Sequence, residues 1–153
     1  GVLTSCVGTN FGANQFYRAR KSAWFGATFI ASIAAIAGIT FSVSPSLWLD
    51  FYTTDLDAYL IGALYLSIVA PFFPLFAFGK TLYFASQGTG KMLVPISGAI
   101  TRLFIVTVFG FICIYLKLEI KYLFFVIGIA MSSVGLILSL NMFGPVWNPK
   151  KST

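Results

Sequence analysis

Two cations stand inside long apolar runs of this chain, Lys80 in PFFPLFAFGKTLYFAS and Arg102 in PISGAITRLFIV. Charge is costly in hydrocarbon, so an embedded ionisable residue is a candidate for function before it is anything else. At helical rise Arg102 falls about 15 Å past Met92, near mid-bilayer, and Lys80 about 9 Å from the run's end at Ser86. Each has two readings. Lys80 either snorkels its ammonium to the interface or lines an aqueous cavity. Arg102 either bonds backbone carbonyls or hydroxyls of a neighbouring helix or lines a substrate pathway.

Two prolines, Pro71 and Pro74, fall in the middle of the run that holds Lys80. Each removes a backbone donor and kinks a helix. Such a break survives in a membrane where a neighbour or a cavity satisfies the freed carbonyls, which makes both prolines further candidates for a substrate pathway. Asn141, with Ser132, Ser133 and Ser139, gives the last apolar run polar points suited to bonds between helices. Asn141 is kept as a pathway candidate.

The missing chemistry excludes as much. The four acids, Asp50, Asp55, Asp57 and Glu119, fall in or at the edge of the polar connections, and there is no histidine. No nucleophile–base pair or metal cluster can be assembled, so an enzyme is not expected. A proton or sodium relay normally uses a buried carboxylate or histidine, and none lies within the apolar runs. The string GTGK is no phosphate loop, because Ala85 and Met92 stand where that motif needs Gly and Ser or Thr. Cys6 and Cys113 read as small hydrophobes.

The elements that carry these residues follow from composition. Hydrophobic residues make up 58% of the 153 and charged residues 9%, with mean hydropathy +0.91. A soluble domain carries about 25% charged residues, so the chain is an integral membrane protein. Four apolar runs, about Ala23 to Val43, Ala58 to Ser86, Met92 to Leu116 and Tyr122 to Val146, each exceed the ~30 Å hydrocarbon thickness as helices. They lack the alternation of a membrane β-strand. The fold expected is all-α, with four transmembrane helices. Ala34 with Gly38, and Gly128 with Ser132, permit close helix contact.

Net charge is +6, and six of the ten cations sit beside the runs: Arg18, Arg20, Lys21, Lys91, Lys150 and Lys151. A nucleic-acid surface would need a solvated basic face, so nucleic acid is excluded as a partner. The positive-inside rule places residues 1–22 and the tail 148–153 in the cytoplasm, with 23–147 as the membrane portion. Trp24 and Trp147 then mark the inner boundary. Trp48, Tyr52, Tyr59, Tyr115 and Tyr122 mark the outer one. The start at Gly-Val-Leu-Thr suggests the end of a truncated preceding helix, and so a fragment.

With these residues assembled, the chain resembles the multidrug and toxic compound extrusion (MATE) transporters. VGTNFGANQFYRARK is similar to the family's cytoplasmic G-Q-N-x-G-A-G loop and Arg-rich helix start, matched by Gly8, Asn10, Gly12, Ala13, Arg18 and Arg20. Thr9 and Asn14 depart from it, standing for Gln and Gly. FASQGTGKMLVP resembles the Q-G-x-G-[RK] turn followed by proline, through Gln87, Gly88, Gly90, Lys91 and Pro95, and Arg102 matches an arginine common in the next helix.

The resemblance implies a twelve-helix transporter of two six-helix lobes and permits these four helices in either; the terminal NPKKST, reading as a chain end, favours the C-terminal lobe. It implies export of organic cations or amphipathic compounds in exchange for sodium or protons across the cell inner membrane. The expected partners are the lipid bilayer, the missing helices and other lobe, and a small-molecule substrate. No cofactor is expected beyond the coupling ion. Some relatives bind that ion with a carboxylate in the helix corresponding to Ala58–Ser86, where this chain has none. A lipid-linked oligosaccharide flippase of the same superfamily and a free-standing four-helix scaffold remain alternatives.

Overall fold

The computed structural model describes residues 1–148 as helices joined by short turns, with no strand among them. The helices are α1 (Val2–Gly12), α2 (Phe16–Val43), α3 (Ser46–Leu49), α4 (Leu56–Val69), α5 (Phe73–Thr89), α6 (Leu93–Tyr115) and α7 (Ile120–Asn141). A 3₁₀ turn, Ala70–Phe72, joins α4 to α5, so that Leu56–Thr89 makes one bent span. Four spans are long and apolar enough to cross a membrane: Phe16–Val43, Leu56–Thr89, Leu93–Tyr115 and Ile120–Asn141. Helix is what such sequences must form, because hydrocarbon offers no partner for a backbone N–H or C=O.

Three boundaries differ from the expectation. Residues 1–22, expected as a loop with the end of a helix, form α1 and the start of α2, and only residues 13–15 connect them. The first span begins at Phe16 rather than Ala23, because Arg and Lys are good helix formers and nothing breaks the run. The last expected run reaches Val146, but α7 stops at Asn141, ahead of Gly144 and Pro145. The chain then turns inward and buries Trp147 to 1% exposure, with its ring 6.4 Å from that of Phe11. Trp147 is therefore a core plug. Lys150 and Lys151 lie outside the described residues.

The core gathers around α5. Val7 of α1, Ala23 of α2, Leu82 of α5, Leu138 of α7 and Trp147 pack as one cluster. Close approach comes from glycines set against backbone. A Cβ on Gly88 would fall 2.8 Å from the Gly8 nitrogen and 2.5 Å from the Thr4 carbonyl oxygen, and one on Gly79 would fall 2.6 Å from the Gly135 nitrogen. The α1–α5 and α5–α7 crossings therefore need hydrogen in place of a side chain. Outward residues such as Phe25, Ile36 and Leu140 stay exposed, as a lipid-facing surface requires.

The proline bend repairs itself. Pro71 cannot donate to the Ser67 carbonyl, and the Ser42 hydroxyl of α2 donates to it instead, at 3.3 Å. Pro74 cannot donate to the Ala70 carbonyl, which accepts from Phe73 N–H in the 3₁₀ turn. Gly38 sits against that same carbonyl oxygen, where a Cβ would come to 2.5 Å.

Candidate functional site

Helices α5 and α6 both pack along α7 but scarcely touch each other. The space left between them is a cavity of about 460 Å³. Its walls follow helical periodicity: Phe76, Lys80, Tyr83 and Phe84 from α5, then Pro95, Ala99, Arg102, Leu103 and Val106 from α6. Spacings of i, i+4, i+7 and i+8 on each helix put these side chains on one face. Val134 of α7 forms the floor.

The two embedded cations thus share one cavity. Their ring neighbours hold them there. The Arg102 guanidinium lies 5.1 Å from the Phe76 ring centroid, and the Lys80 ammonium 5.8 Å and 5.9 Å from those of Tyr83 and Phe84. Cation–π contact of this kind contributes ~0.5–2 kcal/mol, depending on how dry the site is. Among the described residues neither cation forms a side-chain hydrogen bond or an ion pair. The bonds to neighbouring carbonyls or hydroxyls expected of a structural arginine are therefore not what positions Arg102.

No carboxylate lines the cavity. All four acids sit at or beside helix ends: Asp50 closes α3, Asp55 caps α4 by accepting from Ala58 N–H at 3.0 Å, Asp57 stands in the first turn of α4, and Glu119 precedes α7. Glu119 pairs with Lys121 at 2.7 Å, in an exposed pair of small energetic weight.

The other pathway candidates fall elsewhere. Pro71 and Pro74 lie outside this cavity, and the carbonyls they free are answered by Ser42 and Phe73, so the bend serves packing against α2. Asn141 ends α7 outside the cavity too, where its carbonyl accepts from Gly144 N–H at 2.8 Å. In the same helix the Ser132 hydroxyl is buried without a partner among the described residues, as, beyond the helix, is the indole N–H of Trp147. The lining aromatics were missed in the sequence reading. Stepping by 3, 4, 7 and 8 from Lys80 and Arg102 would have found most of them.

The motif residues build the end of the bundle where α1 meets α5. Gly8 and Gly88, from two separate motifs, are the two sides of one helix crossing. Gly90 ends α5 at φ 71 and Asn14 follows α1 at φ 58, both left-handed. Asn14 stands where the pattern has glycine, and asparagine is among the few other residues that accept that conformation. Gly12 and Ala13 close α1, and Gln87 and Lys91 are exposed beside the α5–α6 turn. Arg18 donates to the Gln15 side chain at 3.0 Å. Arg20 donates to Asn148 at 2.9 Å and covers the Phe143 ring at 5.0 Å, so it ties α2 to the segment after α7.

No curated protein and no solved structure matches the chain. The MatE family profile matches residues 2–112, from α1 through most of α6, and so takes in both cations and all three motif regions. The chain belongs to the MatE family, whose members are membrane transporters rather than enzymes.

Proposed function

We propose that this chain is part of a secondary active multidrug efflux antiporter that exports organic cations or amphipathic compounds across the cell inner membrane. The observation that carries the reading is a cavity, walled by two membrane-spanning helices and holding both embedded cations, in a chain of a transporter family. Rocking of this bundle against a second one would expose that cavity to each side in turn. Leader and tail lie on the cytoplasmic side by the charge asymmetry of the connections. The membrane portion runs from Phe16 to Asn141 as part of one lobe, with α1 and the turn that follows α7 on its cytoplasmic side.

Exchange with sodium or protons fits the family, but no carboxylate lies midway along any of the four spans. The coupling ion would therefore bind elsewhere in the complete protein. One test is transport by the full-length protein in proteoliposomes with imposed sodium or proton gradients. The reading predicts accumulation of an amphipathic dye that stops when the gradient is collapsed. Accumulation indifferent to both gradients would contradict it. A second reading, a flippase for lipid-linked oligosaccharides, is favoured by one observation, that the cavity carries two cations and no acid.

A further inference from the structure

We infer that the cavity between α5 and α6 is a seat for the anionic group of an amphipathic cargo, a sulfonate, carboxylate or phosphate held between Lys80 and Arg102. The inference rests on the transporter reading and names the chemical class of its substrate.

Charge balance argues for it first. Two positive side chains line one cavity, no acid lines it with them, and neither pairs with an acid elsewhere among the described residues. Two like charges lining one cavity repel each other, and a bound anion offsets that repulsion for both. An organic cation would add a third positive charge to the same space. Donor geometry argues for it next. A guanidinium offers five N–H donors and an ammonium three. Here the cations touch ring faces and, among the described residues, donate to no side-chain or backbone acceptor. Arginine is suited to planar, bidentate capture of oxyanions, with lysine as a point charge beside it.

The remaining wall specifies the rest of the cargo. Phe76, Leu103, Val106 and Val134 are apolar, and about 460 Å³ is within the usual range for small-molecule sites. A compact apolar body with one anionic end satisfies both halves. Such an anion can come from a free amphiphile or from a lipid headgroup.

The test uses the full-length protein in nanodiscs for binding and in proteoliposomes for transport. Three probes are compared: radiolabelled taurocholate as a free amphipathic sulfonate, a fluorescent-chain phosphatidylglycerol as a lipid phosphate, and tetraphenylphosphonium as a lipophilic cation. The native protein should prefer at least one anion to the cation, a comparison that needs no variant. Lys80→Gln and Arg102→Gln should each weaken that anion about tenfold or more, the usual scale for a hydrogen bond to a charged group. Lys80→Arg and Arg102→Lys should retain most of the affinity, and tetraphenylphosphonium should bind the neutral variants no more weakly than the native protein.

Response of taurocholate identifies a free amphiphile, and response of phosphatidylglycerol alone identifies a membrane lipid. Both uphold the seat. A native protein that prefers the cation overturns it, as do neutral variants that bind both anions normally or lose all three probes alike. The two levels separate cleanly. Transport of the cation alone, indifferent to both substitutions, defeats the seat and leaves the transporter. Binding of an anion that depends on Lys80 and Arg102, without transport of any probe, leaves the seat and defeats the transporter.

Discussion

Gly79 and Lys80 are neighbours in sequence and face opposite architectures. At Gly79 the α5 backbone approaches α7 so closely that a single methyl would overlap Gly135. At Lys80, one position on, α5 turns to a space that no other described helix fills, with Arg102 on its far wall. The same contrast extends along the molecule. On one side α1, α2, α5 and α7 meet through glycine and alanine, with Val7, Ala19, Ala23, Ala27, Leu82 and Ala85 fully buried. On the other, α6 packs on α7 alone among its larger contacts and leaves its Arg102 face open. Tight crossings of small residues make a frame, and the frame holds a charged cavity open where dispersion contacts alone would close it.

The largest break in this contrast comes from the tight side. Gly79→Leu puts a side chain into backbone that has no rotamer by which to retreat, so it should cost about 3 kcal/mol or more of stability. It should show as loss of the monodisperse peak and a lowered melting temperature in detergent. Next is the plug at the end of the frame. Trp147→Ala should cost ~3–5 kcal/mol, whereas Trp147→Phe should cost about 1 kcal/mol or less, because the buried indole N–H has no partner to lose. A large loss with Phe would place an unseen acceptor at Nε1. Thermal melting of the pair measures the difference.

Smaller effects sharpen the contrast further. Ser42→Ala removes the donor that answers the Ser67 carbonyl freed by Pro71. Its expected cost is about 0.6 kcal/mol, the mean for hydrogen bonds between membrane helices. On the open side Leu103 is 67% exposed, and Leu103→Ala should move stability by less than about 0.5 kcal/mol. If Leu103→Ala destabilised as much as Trp147→Ala, the two sides would not differ as described.

Much of this was legible before any coordinates. The four spans show in apolar length, because hydrocarbon admits no polar run, and α6 follows its expected bounds within a residue at each end. Lys80 and Arg102 show in their charge alone. That they share a cavity does not, since it depends on α5 and α6 both lying along α7. The prolines were legible as a bend, but the way the bend is repaired was not, because the replacement donor, Ser42, comes from 29 residues earlier in the chain. Gly8 and Gly88 each belonged to a motif, but no local pattern tells that they meet. That Trp147 is buried does not show either, because a boundary tryptophan and a buried plug look alike in sequence.

The central claim is that the α5–α6 cavity is an aqueous path with a positive field. It is tested most directly by thiol labelling of the full-length protein in native membranes. Cys6 and Cys113 are first replaced by Ser and Ala, and Ala99→Cys is introduced in the cavity wall, with Ile100→Cys, 61% exposed and outside that wall, for comparison. Rates with impermeant anionic and cationic thiosulfonates are measured relative to a free thiol in solution. The account predicts that Ala99→Cys reacts severalfold faster with the anionic reagent, that Arg102→Gln collapses this preference, and that Ile100→Cys shows none. Failure of Ala99→Cys to label, or a rate with the cationic reagent equal to or above the anionic one, would contradict it.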